Sequence, residues 1–108
     1  MDVKNFPGLA EYLEHIRSDY VRWATNLSSV YRDEYIREFN SGLRVVAGSK
    51  FIKVISGGSV HSFICLKDNG KFVKGDILKA ESYTSPARNF ARGNTIAGSF
   101  KTATWTGA

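Results

Sequence analysis

The chain has 108 residues, of which 43% are hydrophobic and 23% are charged, a composition typical of one globular domain and not of a disordered segment. No run of about 18 apolar residues occurs, so the sequence predicts no membrane-spanning helix. Cys65 is the single cysteine, which excludes an internal disulfide and a zinc site built from several thiolates. Residues 1–15 are polar and acidic and lack the basic-then-apolar pattern of a signal peptide, so we expect an intracellular protein.

The formal net charge of +5 is unevenly distributed along the chain. Residues 1–41 hold five basic and seven acidic side chains, whereas residues 42–108 hold ten basic and three acidic ones. A basic half favours a polyanionic partner, because positive charge attracts and steers one. The alternative is that the excess charge serves only solubility.

The first predicted element is a helix over residues 8–27. Apolar side chains recur there every three or four positions and form one stripe: Leu9, Leu13, Ile16, Tyr20, Trp23 and Leu27. The polar run at 26–29 indicates a break, after which a serine can cap a second helix over 30–40. One kinked helix over 8–40 is the alternative.

From residue 43 onward, β-branched and aromatic residues are separated by short glycine-containing turns, a pattern typical of an antiparallel sheet. We predict four strands, near 43–47, 50–56, 59–66 and 71–80. Alternation along the third strand predicts two faces, one with His61, Phe63 and Cys65 and the other with Val60, Ser62 and Ile64. Both faces are partly apolar, so we expect one to pack on the helices and the other to be partly covered.

Residues 82–108 are rich in Ser, Thr, Gly, Ala and Asn and show no regular period. We expect an ordered loop that wraps the sheet at 84–94, followed by an extended or mobile end. The predicted fold is α+β in a single domain, with an N-terminal helical hairpin or kinked helix packed on a four-stranded antiparallel β-meander. Its parts are the helices at 1–41, the sheet at 42–81, and a basic loop and extended tail at 82–108.

The sequence offers little for catalysis or metal binding. His61 and Cys65 are four residues apart on one strand, about 13 Å at roughly 3.3 Å per residue, too far to contact each other. Glu11, His15 and Asp19 share one helical face, which we interpret as a solvated face because no second ligand cluster accompanies it. We therefore predict no enzymatic activity, no catalytic residue, no metal site and no cofactor.

The most informative pattern is the interleaving of basic and aromatic residues in the second half. Aromatic faces stack unpaired bases and Lys or Arg side chains neutralise phosphates, so the pattern is typical of proteins that bind single-stranded nucleic acid. The predicted nucleic-acid contacts are Lys50, Lys53, Lys74, Lys79, Tyr83, Arg88, Phe90 and Arg92. The cations are predicted to contact phosphate, and Tyr83 or Phe90 to stack a base. The alternative is that the aromatic residues form the core and the lysines protect sheet edges.

Several short segments within residues 45–95 stand out together, at 48–54, 59–63, 68–70, 75–80, 86–88 and 91–94. In this combination they resemble a family of short, uncharacterised proteins encoded by tailed bacteriophages. The family has no assigned activity, so the resemblance implies no catalytic residues. It implies synthesis in the cytoplasm of an infected bacterial host. The chain has Ser82-Tyr83 where the family leads us to expect a tryptophan.

Two main classes of function follow. The first is a non-enzymatic phage accessory protein that binds nucleic acid, with single strands favoured, through its basic C-terminal half. The second is a protein-interaction module that inhibits a host enzyme or defence factor, or a small virion component, with exposed Phe100 and Trp105 contacting a bacterial host protein. A small hydrolase or ligand-sequestering protein comes third and requires a pocket that joins His61 to an acid. No membrane partner is predicted, and a homodimer is compatible with each class because an open sheet leaves two edges.

Overall fold

The computed structural model describes residues 3–108 and confirms the α+β fold. A short 3-10 helix leads into two α-helices, α1 (Leu9–Ala24) and α2 (Ser29–Gly42). Hydrogen bonds then join five strands, in sequence order, into one antiparallel sheet. The strands are β1 (Leu43–Ala47), β2 (Phe51–Ser56), β3 (Ser59–Cys65), β4 (Asp76–Lys79) and β5 (Gly93–Asn94). Within residues 3–108, no helix is long and apolar enough to cross a membrane.

The two helices are separate elements, so the alternative of one kinked helix is wrong. Gly8, the N-cap residue immediately before α1, has a φ of 78°, and a Cβ atom there would lie 1.9 Å from the carbonyl oxygen of Thr95. Only glycine fits this left-handed conformation and close approach. After a turn at 25–28, the Ser28 hydroxyl caps α2 by accepting a hydrogen bond from the backbone N–H of Val30.

The main hydrophobic core lies between the sheet and α1, on what we call the helix side. Ile64 on the central strand pairs with Ile52 on β2 and Ile77 on β4. These three side chains form one buried cluster with Tyr12 and Ile16 of α1. Their spacing in α1 places both helix residues on one face, so the predicted apolar stripe is the face that packs on the sheet.

A smaller core lies on the opposite side of the sheet, which we call the loop side. Its buried members are Phe63, Cys65, Phe72 and Leu78. The loop at 80–92 covers them and is hydrogen-bonded to β4, with the N–H of Ala87 donating to the carbonyl of Lys79 at 2.8 Å. The expected wrapping loop is therefore present, and it closes the side that the helices leave open.

The predicted faces of β3 are wrong at two residues because the strand contains a bulge. The register with β2 shifts so that Val60 pairs with Ile55 and Ser62 pairs with Val54, which leaves His61 as the extra residue. His61 Nδ1 lies 2.9 Å from Ser62 Oγ, so the imidazole turns to the helix side, whereas Val60 packs into the loop-side core.

The fourth predicted strand, 71–80, is too long, and the predicted sheet lacks one strand. Two carboxylates close turns before β4, because Asp68 Oδ1 accepts the N–H of Lys74 and Asp76 Oδ2 accepts the N–H of Val73, each at 2.9 Å. These bonds take the backbone donors that a longer strand would use. The two-residue strand β5 then pairs with β4 as a fifth member of the meander.

The C-terminal segment is ordered, so the expected extended or mobile end is wrong. The Phe100 ring packs on Tyr12 at a centroid distance of 5.5 Å, and the Trp105 ring packs on Tyr20 at 5.0 Å. Both rings are half-buried, which also corrects the expectation that Phe100 and Trp105 are exposed. Both residues therefore pack against the helix-side core.

The face of α1 that carries Glu11, His15 and Asp19 is not simply solvated. His15 Nε2 lies 2.8 Å from the carbonyl oxygen of Ala103, and Asp19 Oδ2 accepts the N–H of Trp105 at 2.9 Å. Two of the three side chains therefore bind the C-terminal backbone. This role was hidden in the sequence, because the partners lie 88 and 86 residues further along the chain.

Candidate nucleic-acid interface

The β1–β2 hairpin and the loop at 80–92 border an open cleft of about 290 Å³ on the loop side. Lys50 and Lys53 both line it, together with the ring of Phe51. Lys53 reaches this side because it pairs across the sheet with Phe63, and paired residues project to the same face. Two predicted phosphate contacts thus lie in one cleft.

Lys53 lies between two aromatic rings. Its Nζ atom is 4.4 Å from the centroid of the Tyr83 ring and 5.9 Å from that of Phe63. An ammonium group over a ring face is attracted by the ring quadrupole. The contact therefore favours positions of the Lys53 ammonium group near the Tyr83 ring.

Arg88 joins this group from the covering loop. Its guanidinium carbon lies 5.5 Å from the centroid of Phe51, whose ring is edge-on to Phe63 at 5.9 Å. This contact brings together Phe51 of β2 and Arg88 of the loop, which are more than thirty positions apart in the sequence. We call the set Lys50, Phe51, Lys53, Tyr83 and Arg88 the basic–aromatic surface.

Phe90 and Arg92 form a separate pair further along the loop. The Arg92 guanidinium carbon lies 4.1 Å from the Phe90 centroid, and the Phe90 side chain remains 56% exposed. Lys71, which is not among the predicted contacts, donates from Nζ to the carbonyl oxygen of Asn89. A cation therefore lies beside the loop between Arg88 and this pair.

The remaining two predicted contacts lie elsewhere. Lys74 Nζ is 5.7 Å from the ring centroid of Phe6, which belongs to the helix-side core. Lys79 pairs with Ser62, whose side chain points to the helix side. Both lysines are exposed but do not belong to the basic–aromatic surface. The sequence alone could not distinguish Lys74 and Lys79 from the cations of the basic–aromatic surface, because the fold of the loop at 80–92 determines which cations lie together.

A buried polar network lies on the helix side. Tyr12 Oη is 2.8 Å from Ser62 Oγ, Ser62 Oγ is 2.9 Å from His61 Nδ1, and His61 Nε2 is 2.6 Å from the carbonyl oxygen of Thr104. A carbonyl only accepts, so His61 carries its proton on Nε2, and Nδ1 accepts from the serine hydroxyl. The imidazole of His61 therefore binds the Ser62 hydroxyl through one nitrogen and the Thr104 carbonyl through the other.

Burial controls the titration of this network and of the single thiol. Desolvation lowers the pKa of His61 and raises the pKa of Tyr12, so both groups are neutral in the folded protein at pH 7. Burial, with a smaller effect of Asp76, raises the pKa of the Cys65 thiol to about 11. Cys65 is therefore a protonated core residue. In the part of the chain that the structure describes, no three His, Cys, Asp or Glu side chains could hold a metal ion together.

The basic–aromatic surface has to be interpreted from its own residues, because no family model, curated protein or solved structure matches the chain. The resemblance to phage-encoded proteins over residues 45–95 stays a prediction, as does a location in the host cytoplasm. Chemically, the surface offers ammonium and guanidinium groups that bind phosphate and aromatic faces that stack planar rings.

Proposed function

We propose that the chain is a non-enzymatic phage accessory protein that binds single-stranded nucleic acid through the basic–aromatic surface. The observation that carries this proposal is the placement of Lys53 and Arg88 against aromatic rings, with Lys53 lining an open cleft and Arg88 lying over the ring of Phe51, which also lines it. Phosphate and base recognition need these two chemistries side by side. The remote contacts Lys74 and Lys79 then contribute only long-range attraction.

The charge on this surface is not neutralised within the described chain. Two ion pairs occur among the side chains that the structure describes, Arg17–Glu14 and Arg22–Asp19, and both lie on α1. In the second half, Asp68 and Asp76 accept backbone N–H groups in the turns before β4. Positive charge without internal partners attracts phosphate and releases counterions when phosphate binds.

The aromatic side chains favour a single strand over a duplex. Tyr83 is 52% exposed and Phe90 is 56% exposed, so both rings offer area to a ligand. Base stacking on an aromatic side chain contributes about 1–3 kcal/mol per base, and a duplex keeps its base faces inside the stack. A strand with unpaired bases can therefore use contacts that a duplex cannot.

Fluorescence anisotropy with labelled single-stranded DNA, duplex DNA and RNA tests the proposal between about 50 and 200 mM salt. We expect the tightest binding to a single strand and a steep loss of affinity with salt. The double variant Lys53→Gln/Arg88→Gln should bind at least about tenfold more weakly and reduce the salt slope by about two. The matched control Lys74→Gln/Lys79→Gln removes the same charge elsewhere and should lose no more than about threefold.

Two results would overturn the proposal. One is no binding at the lowest salt by a folded protein. The other is an equal loss of affinity in the two double variants, which would mean that net charge alone attracts nucleic acid. The protein-interaction alternative depended on exposed Phe100 and Trp105, and the structure half-buries both, so no observation favours it here. Binding to an apolar protein interface would also respond little to salt.

A further inference from the structure

A second cleft, of about 590 Å³, opens between the end of the covering loop and the C-terminal segment. Two cations, Arg92 and Lys101, line it together with the hydroxyl-bearing residues Ser99 and Thr102. The rest of the lining is glycine and alanine, and no carboxylate borders the cleft. The combination of cations, hydroxyl groups and little side-chain bulk suits a small anionic ligand.

Arg92 is held in place at this cleft but has no anionic partner there. Its backbone N–H donates to the carbonyl of Ile77 at 2.7 Å, and its guanidinium group stacks on Phe90. The side chain is half-buried, and its Nε atom is buried with no hydrogen-bond partner in the described chain. Among the described residues, the structure thus gives the Arg92 guanidinium group no anionic partner, and its terminal nitrogens have only an aromatic ring beside them.

The backbone around the cleft is preorganised. Asn94 Oδ1 accepts the N–H of Ile96 at 2.8 Å and that of Ala97 at 3.0 Å, which fixes the turn that follows β5. Gly93 has a φ of 152°, and a Cβ atom there would lie 1.9 Å from the carbonyl oxygen of Ser99. Gly98 has a φ of 72° and open space where a side chain would be, so a ligand can approach the backbone closely.

We propose that this cleft is a phosphate-binding site in which Arg92 and Lys101 bind the phosphate group of a nucleotide and Phe90 stacks its base. The planar guanidinium group matches two phosphate oxygens at once, and the ammonium group adds a second charge. Arg92 covers one face of the Phe90 ring, yet that side chain stays 56% exposed. The phosphate can come from a free mononucleotide or from the end of a strand, and only the second source rests on the proposed function.

Amide NMR spectra of the full chain test the site at constant ionic strength, with inorganic phosphate, 5′-AMP and adenosine as probes. We expect phosphate and 5′-AMP to shift the signals of Gly93, Gly98 and Ser99 and of the Arg92 side chain. Adenosine alone should shift them at least tenfold less at the same concentration. Tighter binding of 5′-AMP than of phosphate would support the stacking role of Phe90, and Phe90→Ala should remove that advantage.

Variants separate this site from general charge effects. Arg92→Gln should weaken phosphate binding at least tenfold, and Arg92→Lys about threefold, because lysine keeps the charge but loses the planar fork. Lys67→Gln removes one exposed charge elsewhere and should change affinity less than twofold. The Arg92→Lys and Lys101→Gln variants keep the test valid if Arg92→Gln does not fold. Two outcomes would overturn the proposal. One is an equal loss of phosphate affinity in Arg92→Gln and Lys67→Gln. The other is no change in the NMR signals with phosphate up to about 10 mM, a concentration that would reveal even a weak specific site.

Short oligonucleotides with a 5′-phosphate or a 5′-hydroxyl group distinguish the two sources. A preference for the phosphorylated end that Arg92→Gln abolishes would identify a strand end as the ligand. Binding of 5′-AMP without such a preference would identify a free nucleotide. The two proposals are tested by different variants. If Lys53→Gln/Arg88→Gln binds strands normally, the proposed function is wrong, but binding of phosphate at Arg92 and Lys101 can still be observed.

Discussion

The two sides of the sheet use their polar side chains in opposite ways. On the helix side, Tyr12, Ser62 and His61 bond to one another and to the carbonyl of Thr104, so each has an internal partner. On the loop side, Lys53 and Arg88 lie over aromatic rings and have no carboxylate partner within the described chain. The polar groups of the helix-side network are paired within the fold, whereas the cations of the loop side remain available to bind a ligand.

This difference follows from what covers each side. The helix side is covered by an amphipathic helix and by the C-terminal segment, which exclude water and therefore require every polar atom to be paired. The loop side is covered by a short loop that leaves cations at the surface, where water solvates them at little cost. Stability should therefore depend most on the helix side, and ligand binding most on the loop side.

The largest effect on stability should come from the centre of the helix-side core. Ile64→Ala removes a fully buried side chain between Ile52 and Ile77 and should lower the free energy of unfolding by about 2–5 kcal/mol. Val46→Ala, on the exposed edge strand, should change it by less than about 0.5 kcal/mol. Urea denaturation of both variants measures this contrast. Equal losses of unfolding free energy would contradict the inference that stability depends most on the helix side.

A smaller contrast should separate two aromatic residues on opposite sides. Trp105 packs with Tyr20, Trp23 and Phe39, so Trp105→Ala should cost about 2 kcal/mol, less than for a fully buried tryptophan. Phe90→Ala removes an exposed ring that makes a cation–π contact with Arg92. This change should lower the free energy of unfolding by less than about 1 kcal/mol. Thermal unfolding measures both, and a mobile C-terminal end would make the Trp105→Ala effect negligible.

The elements themselves could be predicted because their signals are local. Periodic apolar residues indicated α1, and β-branched runs between glycine turns indicated β1 to β3. The errors occurred where contacts distant in sequence decide the structure. The bulge at His61 cannot be seen in the alternation of β3, and the Asp68 and Asp76 side-chain bonds that shorten β4 depend on how the turns close.

The candidate site was predicted by residue type but not by arrangement. The interleaving of cations and aromatic residues selects Lys53, Tyr83 and Arg88 as candidates, because the chemistry of nucleic-acid binding restricts the useful side chains. The same criterion also selected Lys79, whose partner Ser62 points to the other side of the sheet. It left out Lys101, since the cleft that Lys101 shares with Arg92 forms only when the C-terminal segment folds back.

The smallest effect should appear in the pH dependence of the helix side. Burial lowers the pKa of His61 in the folded protein, whereas the unfolded chain has an ordinary imidazole near 6.5. As the pH falls below about 6.5, the unfolded state therefore takes up a proton first, and stability decreases until the folded-state pKa is reached. The stabilisation is complete above that window and changes by at most about 1.4 kcal/mol per pH unit within it.

His61→Gln removes this titration while keeping an N–H that can donate to the carbonyl of Thr104. Urea midpoints between pH 8 and pH 5 should then fall less steeply for the variant than for the natural chain. Parallel curves would mean that His61 can take up a proton without breaking its bonds to Ser62 and Thr104. The helix side would then tolerate a buried charge. The two sides would differ only in that a protonated His61 has hydrogen-bond partners within the protein, whereas Lys53 and Arg88 have no carboxylate partner in the described chain.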